Sequence, residues 1–254
     1  MWNSEIYEKF KNNRIQPSID LTNRIELNNC KRIIDIGCGS GMSTIVLRKK
    51  WESAEIIGVD YSENMLNKAK ERIEDVTWIK KDCSKPIKDL GKFDIVFSNA
   101  FLQWIKNQEE FLVNTRDIIS ENGILAMQIP AFDQMIASAA IRQGAESFNK
   151  ELFKGIENEN CHNMSLGEYY DILDKYYSDV EIWQTNYQHI MESHQAIIEF
   201  LSGTALNPYF SRLDEEQKQE FLKVLTEKIK KTYSIQKNGK ILFEFKRIFI
   251  LAKK

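Results

Sequence analysis

Residues 32–41 read Arg32-Ile33-Ile34-Asp35-Ile36-Gly37-Cys38-Gly39-Ser40-Gly41. A short apolar run ended by glycines is the pattern of a strand buried in a parallel sheet. Residues 42–51 continue at helical spacing, so the glycines occupy a strand-to-helix turn. Outward from this unit the pattern repeats. Strands are predicted at Glu55–Asp60, Val76–Lys80, Phe93–Ser98 and Gly123–Ile129, with helices over 62–74, opened by Ser62 as N-cap, and over 107–119. Strands alternating with helices imply an α/β fold, a mostly parallel sheet covered on both faces. Before Cys30, residues 4–28 carry helical spacing and predict a short helix, a turn and a second helix that Pro17 can open. After Pro130 the alternation stops. Residues 131–177 read as helical, Val180–Tyr187 as a period-two strand, and 193–203 and 214–232 as helices. Asn238-Gly239, a hairpin-turn signal, leads into a last strand from Ile241 to Ala252. Three parts are expected: 1–130, a helical insertion over 131–178, and 179–254 with further helices within 193–234.

Composition narrows the function classes. A chain of 254 residues suits one main domain with a smaller inserted cap. The net charge of −2 gives no general basic field, so no nucleic-acid partner and no membrane partner is expected. No apolar run approaches the roughly 20 residues of a membrane span, and Met1-Trp2-Asn3-Ser4-Glu5 does not open a signal peptide. Cys30, Cys38, Cys83 and Cys161 are widely spaced and match no zinc pattern, so no metal is expected and the thiols read as reduced, in a cytoplasmic protein.

The glycine turn defines the ligand. A dinucleotide fingerprint needs glycine three positions after Gly39, where this chain has Met42. Asp35 leads the turn; an acid there suits an ammonium group and repels phosphate. S-adenosylmethionine carries an ammonium, a sulfonium and no phosphate. Asp60 closes the second strand about 20 residues on, where a carboxylate can accept both ribose hydroxyls. At the end of the third strand, Asp82 can accept the adenine amino group and the Cys83 N–H can reach a ring nitrogen. Ser98-Asn99-Ala100-Phe101-Leu102-Gln103-Trp104 follows the fourth strand, which is expected to lie beside the first. Its aromatic residues suit a sulfonium, although Phe101 also reads as core.

With these residues in place, the chain resembles the class I S-adenosylmethionine-dependent methyltransferases, and within them the trans-aconitate methyltransferase family. The narrower resemblance rests on Trp2-Asn3 with Tyr7 and Phe10, residues 35–41, Ser98–Trp104, Tyr169–Leu173, Ser193-His194-Gln195-Ala196-Ile197-Ile198, and Asn238-Gly239. It implies a Rossmann-like sheet of seven strands with an antiparallel last strand, and helices capping the pocket. It implies a cofactor set of Asp35, Gly37, Gly39, Gly41, Asp60, Tyr61, Met65, Asp82, Cys83, Asn99 and Trp104. It further implies a substrate set of Tyr7, Arg14, Gln128, His194 and Arg247 for a small anionic carboxylic acid, in a monomer. No catalytic base is expected, because a carboxylate acceptor is already ionised at neutral pH. The chain departs from the family pattern at Ser40, where the family has Pro, and at Gln184 and Asn207, where it has Arg. Arg14, Arg142, Arg212 and Arg247 remain as cations, with His189 and His194. His194 also reads as a helix cap or core residue. The alternatives are a methyltransferase for another small acid or metabolite, a non-catalytic S-adenosylmethionine-binding protein, and a nicotinamide dehydrogenase, which Met42 and Asp35 oppose.

Overall fold

The computed structural model describes residues 11–156 and 163–254. It divides into two compact units. The first comprises Arg14–Pro130, Asn163–Thr185 and Ile248–Lys254; Ala131–His162 and Asn186–Arg247 belong to the second. The segment expected as one insertion over 131–178 is thus shared: its later helix falls with the sheet.

In the first unit, helix α1 (Lys11–Arg24) leads to β1 (Arg32–Ile36), α2 (Met42–Lys50), β2 (Glu55–Asp60), α3 (Glu63–Arg72), β3 (Thr77–Lys80), β4 (Phe93–Asn99), α4 (Gln108–Arg116) and β5 (Ile119–Pro130). Helix α6 (Leu166–Leu173) also belongs to it, and so do the first part of β6 (Asp179–Met191) and the last part of β7 (Ile241–Lys253). The sheet has seven strands in the order β3-β2-β1-β4-β5-β7-β6. The pairs β1–β2, β1–β4, β2–β3 and β4–β5 are parallel. Strand β7 runs the other way: Lys254 N donates to Gly123 O while Ala131 N donates to Lys246 O. Ile33, Ile34, Ile36, Ile95, Val96 and Phe97 are fully buried. Each such side chain contributes about 1.5–3 kcal/mol on leaving water, so the central strands fix the register on which the site depends.

Helix α1 and strand β5 differ from the sequence reading, as does β6, which runs on to Met191 where an end at Tyr187 was expected. Helix α1 runs unbroken through Pro17, where a turn and a new helix were expected. A proline costs a helix one N–H and crowds the preceding turn; here its ring is buried and packing outweighs that cost. Strand β5 begins at Ile119, not Gly123, because Phe93 pairs with Ile119 before an irregularity that resumes at Ile95 with Ile124. Asn122, with φ 63°, sits in that interruption.

The second unit holds α5 (Ile136–Asn149), α7 (His194–Ser202), α8 (Asn207–Phe210), α9 (Glu215–Thr232) and the remaining parts of β6 and β7. Its core contains Ile141, Phe153, Phe200, Tyr209, Phe221, Leu225 and Phe243. Gly144 brings α5 close to α9: a Cβ there would lie 3.4 Å from Leu225 Cδ1. Asp214 and Gln217 close a reciprocal cap at the start of α9. The Asn238-Gly239 turn closes through Gln236 N to Lys240 O at 2.7 Å and delivers the chain into β7.

Candidate functional site

The parallel strands of the first unit end together, and their following loops build one cleft. The turn after β1 is tied to β2: Gly37 N and Cys38 N donate to Val59 O at 2.8 and 3.1 Å, and Gly39 N donates to Asp60 Oδ2 at 2.9 Å. Two glycines are required, one by both space and backbone and one by its left-handed backbone alone. At Gly37, φ is +71° and a Cβ would lie 2.3 Å from Phe101 Cδ2. At Gly39, φ is +52° and a Cβ would meet nothing within 4 Å. The first therefore lets an aromatic ring close over the turn, and the second leaves bare backbone facing open space.

A cavity of about 300 Å³ opens beside this turn. Gly37, Asp60, Tyr61, Asp82, Cys83 and Trp104 line it, as does Phe101. Sequence reasoning missed Lys81, Ser84 and Ile105, which also line it. Their only signal was adjacency to Asp82 and Trp104. Phe101 faces the cavity and packs 5.8 Å from Phe111. Tyr61 and Trp104 are 74% and 50% exposed, so both rings stand at the cavity surface rather than in the core. Met65 is half-buried on α3, where its N–H donates to the Ser62 cap. Gly41 takes φ +79° at the start of α2.

The carboxylates are held distinctly. Asp60 Oδ1 accepts from Ser62 N at 2.8 Å, so each of its oxygens has one donor and keeps a further lone pair. Asp82 Oδ1 accepts from Ser84 N and Ser84 Oγ at 3.0 and 2.6 Å, which pulls its proton affinity below the usual carboxylate range. The Cys83 thiol is pushed up to about 12 by burial, with Asp60 and Asp82 adding to the effect. It is therefore a neutral thiol at pH 7 and no nucleophile.

Asp35 is fully buried. Ser43 Oγ and Thr44 Oγ1 donate to its Oδ2 at 2.7 and 2.6 Å, whereas its Oδ1 is buried without a hydrogen-bond partner among the described residues. Burial raises Asp35 to about 6, Thr44 and Ser43 oppose that, and Asp60 adds to it. Asn99 Oδ1, at the end of the neighbouring β4, is a second buried acceptor without a partner among the described residues. Asn99 is aligned with Gln128 on β5. The next residue, Ala100, is forced to φ +57° and pinned at both ends: its N donates to Gln128 O at 2.9 Å and its O accepts from Gln103 Nε2 at 2.7 Å.

The residues expected for the acceptor are distributed. Arg14 is half-buried on α1 and Gln128 is buried on β5, both in the first unit. His194 and Arg247 belong to the second unit. The His194 ring sits 2.7 Å from Tyr233 O through Nε2, and Ser193, not His194, caps α7. Arg247 is buried with its guanidinium 4.4 Å from the Phe245 ring. Arg212 Nη1 donates to the carbonyls of Leu152 and Lys154. Tyr7 lies outside the described residues.

Two bare buried acceptors, an acid at the end of β2, another after β3 and open space over Gly39 fit a ligand with an ammonium, a ribose and an amino-purine. The acids oppose a pyrophosphate. Comparison with known proteins agrees. Residues 27–200 match the family model described as a methyltransferase domain. Trans-aconitate 2-methyltransferase of Escherichia coli K12 is 33% identical over 260 residues, covering 100% of this chain and 98% of the relative. The enzyme of the same name from Rhodopseudomonas palustris is 34% identical over 255 residues, covering 100% and 99%. The chain belongs to the S-adenosylmethionine-dependent methyltransferases. The fold of this methyltransferase is also that of solved members. A SAM-dependent methyltransferase from Archaeoglobus fulgidus superposes with a TM-score of 0.56 at 21% identity, covering 97% of each chain. Haemonchus contortus phosphoethanolamine N-methyltransferase 2, solved in complex with S-adenosyl-L-methionine, gives 0.57 at 16% identity, covering 94% of this methyltransferase and 52% of that chain.

Proposed function

We propose that this methyltransferase esterifies a small carboxylic acid, and that the acid is trans-aconitate. The observation that carries the substrate is the match, end to end, to relatives of that name at 33–35% identity. S-adenosylmethionine, when bound, supplies a methyl group on a sulfonium; the S–CH3 bond breaks as an O–CH3 bond forms, leaving a methyl ester and S-adenosylhomocysteine. The chain itself binds and aligns. Asp60 takes the ribose hydroxyls, and Asp82 with the Cys83 N–H takes the adenine. Asp35 and Asn99 take the amino group. The backbone at Gly37, Gly39 and Gly41 lets the ligand approach closely, while Tyr61, Met65 and Trp104 flank it. Arg14 and Gln128, which belong to the unit that holds the donor cavity, orient the acceptor. No residue serves as a base, since the attacking carboxylate carries its charge at neutral pH. Rate enhancement comes from alignment and from exclusion of water.

Gln184 and Asn207 stand where the family pattern has arginine, which favours a second reading, a related small acid with fewer charges to bind. Comparing kcat/KM for trans-aconitate with a panel of mono-, di- and tricarboxylic acids tests the choice. Preference for trans-aconitate is expected; a dicarboxylate turned over at least tenfold better would replace it. The enzyme is further proposed to act as a cytoplasmic monomer. Cys30, Cys38 and Cys83 are unpaired and buried, the state that a reducing compartment maintains. Among the described residues no helix is long and apolar enough to cross a membrane.

A further inference from the structure

We propose that Ser43 and Thr44 are positioning residues for the methyl donor: by holding one oxygen of Asp35 they keep it ionised and present the other oxygen to the donor's ammonium group. The inference concerns the donor alone and stands whichever acid is the acceptor.

The geometry begins with α2. Gly41 precedes it in a left-handed conformation and provides no side-chain cap. A hydroxyl in the first turn of a helix commonly bonds to nearby backbone or faces water. Ser43 and Thr44 do neither: both are buried, and both donate to Asp35 Oδ2 on β1. Two donors converge on one oxygen while the other, equally buried, has none. A carboxylate offers about four acceptor sites, and a buried acceptor left bare is costly. An N–H donor arriving at Oδ1 removes that cost. The flanking strands bring Asp35 no charge, for it aligns with Gly58 on β2 and Phe97 on β4. Among the described residues, the ionisable groups that bear on it are Asp60 at the end of β2 and the Cys38 thiol of the turn. Asp60 disfavours ionisation of Asp35, as burial does, and among the described residues the two hydroxyls act against them. Removing a hydroxyl therefore lets Asp35 take up a proton at a higher pH, and a neutral acid offers an ammonium no charge.

Calorimetric titration between pH 5 and 8 tests this with two ligands. S-adenosylhomocysteine carries the amino acid; 5′-methylthioadenosine presents the same adenosine and sulfur without it. For the wild type, affinity for S-adenosylhomocysteine is expected to fall about tenfold from pH 7 to pH 5, as a group titrating near 6 requires. Affinity for 5′-methylthioadenosine should stay level. Thr44→Val and Ser43→Ala should each move the midpoint of the S-adenosylhomocysteine profile to higher pH, with several-fold weaker binding at pH 6.5 that recovers by pH 8. Thr44→Ser should restore the wild-type midpoint. Equal losses for both ligands at every pH would mean that the hydroxyls merely support the fold, and would overturn the proposal. An unmoved midpoint in both variants would also overturn it. Failure of the wild type to bind either ligand would remove the donor site itself, an outcome separate from any failure to methylate a given acid.

Discussion

At the residue scale, the site rests on a few positions whose chemistry has no substitute. Gly37 is one. An alanine there must hold φ near +71° and place its Cβ 2.3 Å from the Phe101 ring. The left-handed backbone alone costs about 1–2 kcal/mol. Gly37→Ala should therefore lose at least about 2 kcal/mol in urea unfolding and bind S-adenosylhomocysteine at least tenfold more weakly. Asp35 is another, and its effect on stability has a definite sign. Burial raises it to about 6, so the folded protein holds this proton more tightly than the unfolded chain. The stability gained is complete below the ordinary carboxylate value and is lost as pH rises through 6. Asp35→Asn removes that titration. Urea unfolding of both proteins should show the difference in stability shifting toward the variant by about 2 kcal/mol between pH 4.5 and 8. A constant difference would show that Asp35 does not titrate there. A buried acid retained against its own stability points to work with a cation.

At the element scale, what the sequence discloses depends on whether one strong local rule governs. Strands β1, β2 and β4 are apolar runs between turns, and their ends follow from the rule that ligands bind beyond the carboxyl ends of parallel strands. Hence Gly37, Asp60, Asp82, Cys83 and Trp104 could be named before the fold was known, and they line one cavity. Helix α1 was not legible, because Pro17 argues locally for a break and only burial of its ring argues against one. The start of β5 was hidden for the same reason: Asn122-Gly123 reads as a turn, yet pairing with Phe93 extends the strand past it. Ser43 and Thr44 escaped because nothing in their spacing shows that two hydroxyls rotate inward. Caps are the opposite case, legible and local. Asp214→Ala removes the side-chain half of the cap on α9, the bond from Gln217 N, and should cost about 1 kcal/mol in unfolding free energy. Affinity for S-adenosylhomocysteine should not change, since the helix lies in the second unit and the donor cavity in the first.

At the scale of the whole molecule, donor binding should be visible in global stability. A ligand at a hundred times its Kd stabilises the folded state by about 2.7 kcal/mol. For a chain of this size that corresponds to a rise in Tm of roughly 5–10 °C. S-adenosylhomocysteine should give such a rise, and NAD none. The seven-stranded sheet, the two acids at adjacent strand ends and the end-to-end match to methyltransferases lead to the same donor chemistry, a methyl group leaving sulfur; its transfer to a carboxylate oxygen by alignment is the course we propose. The most direct test combines the protein with S-adenosylmethionine labelled in its methyl group and with trans-aconitate, followed by brief exposure of the product to mild base. Label recovered on the acid and released by base as methanol is the predicted result, since a methyl ester hydrolyses. No transfer to the acid, or label that resists base, would contradict carboxylate methylation.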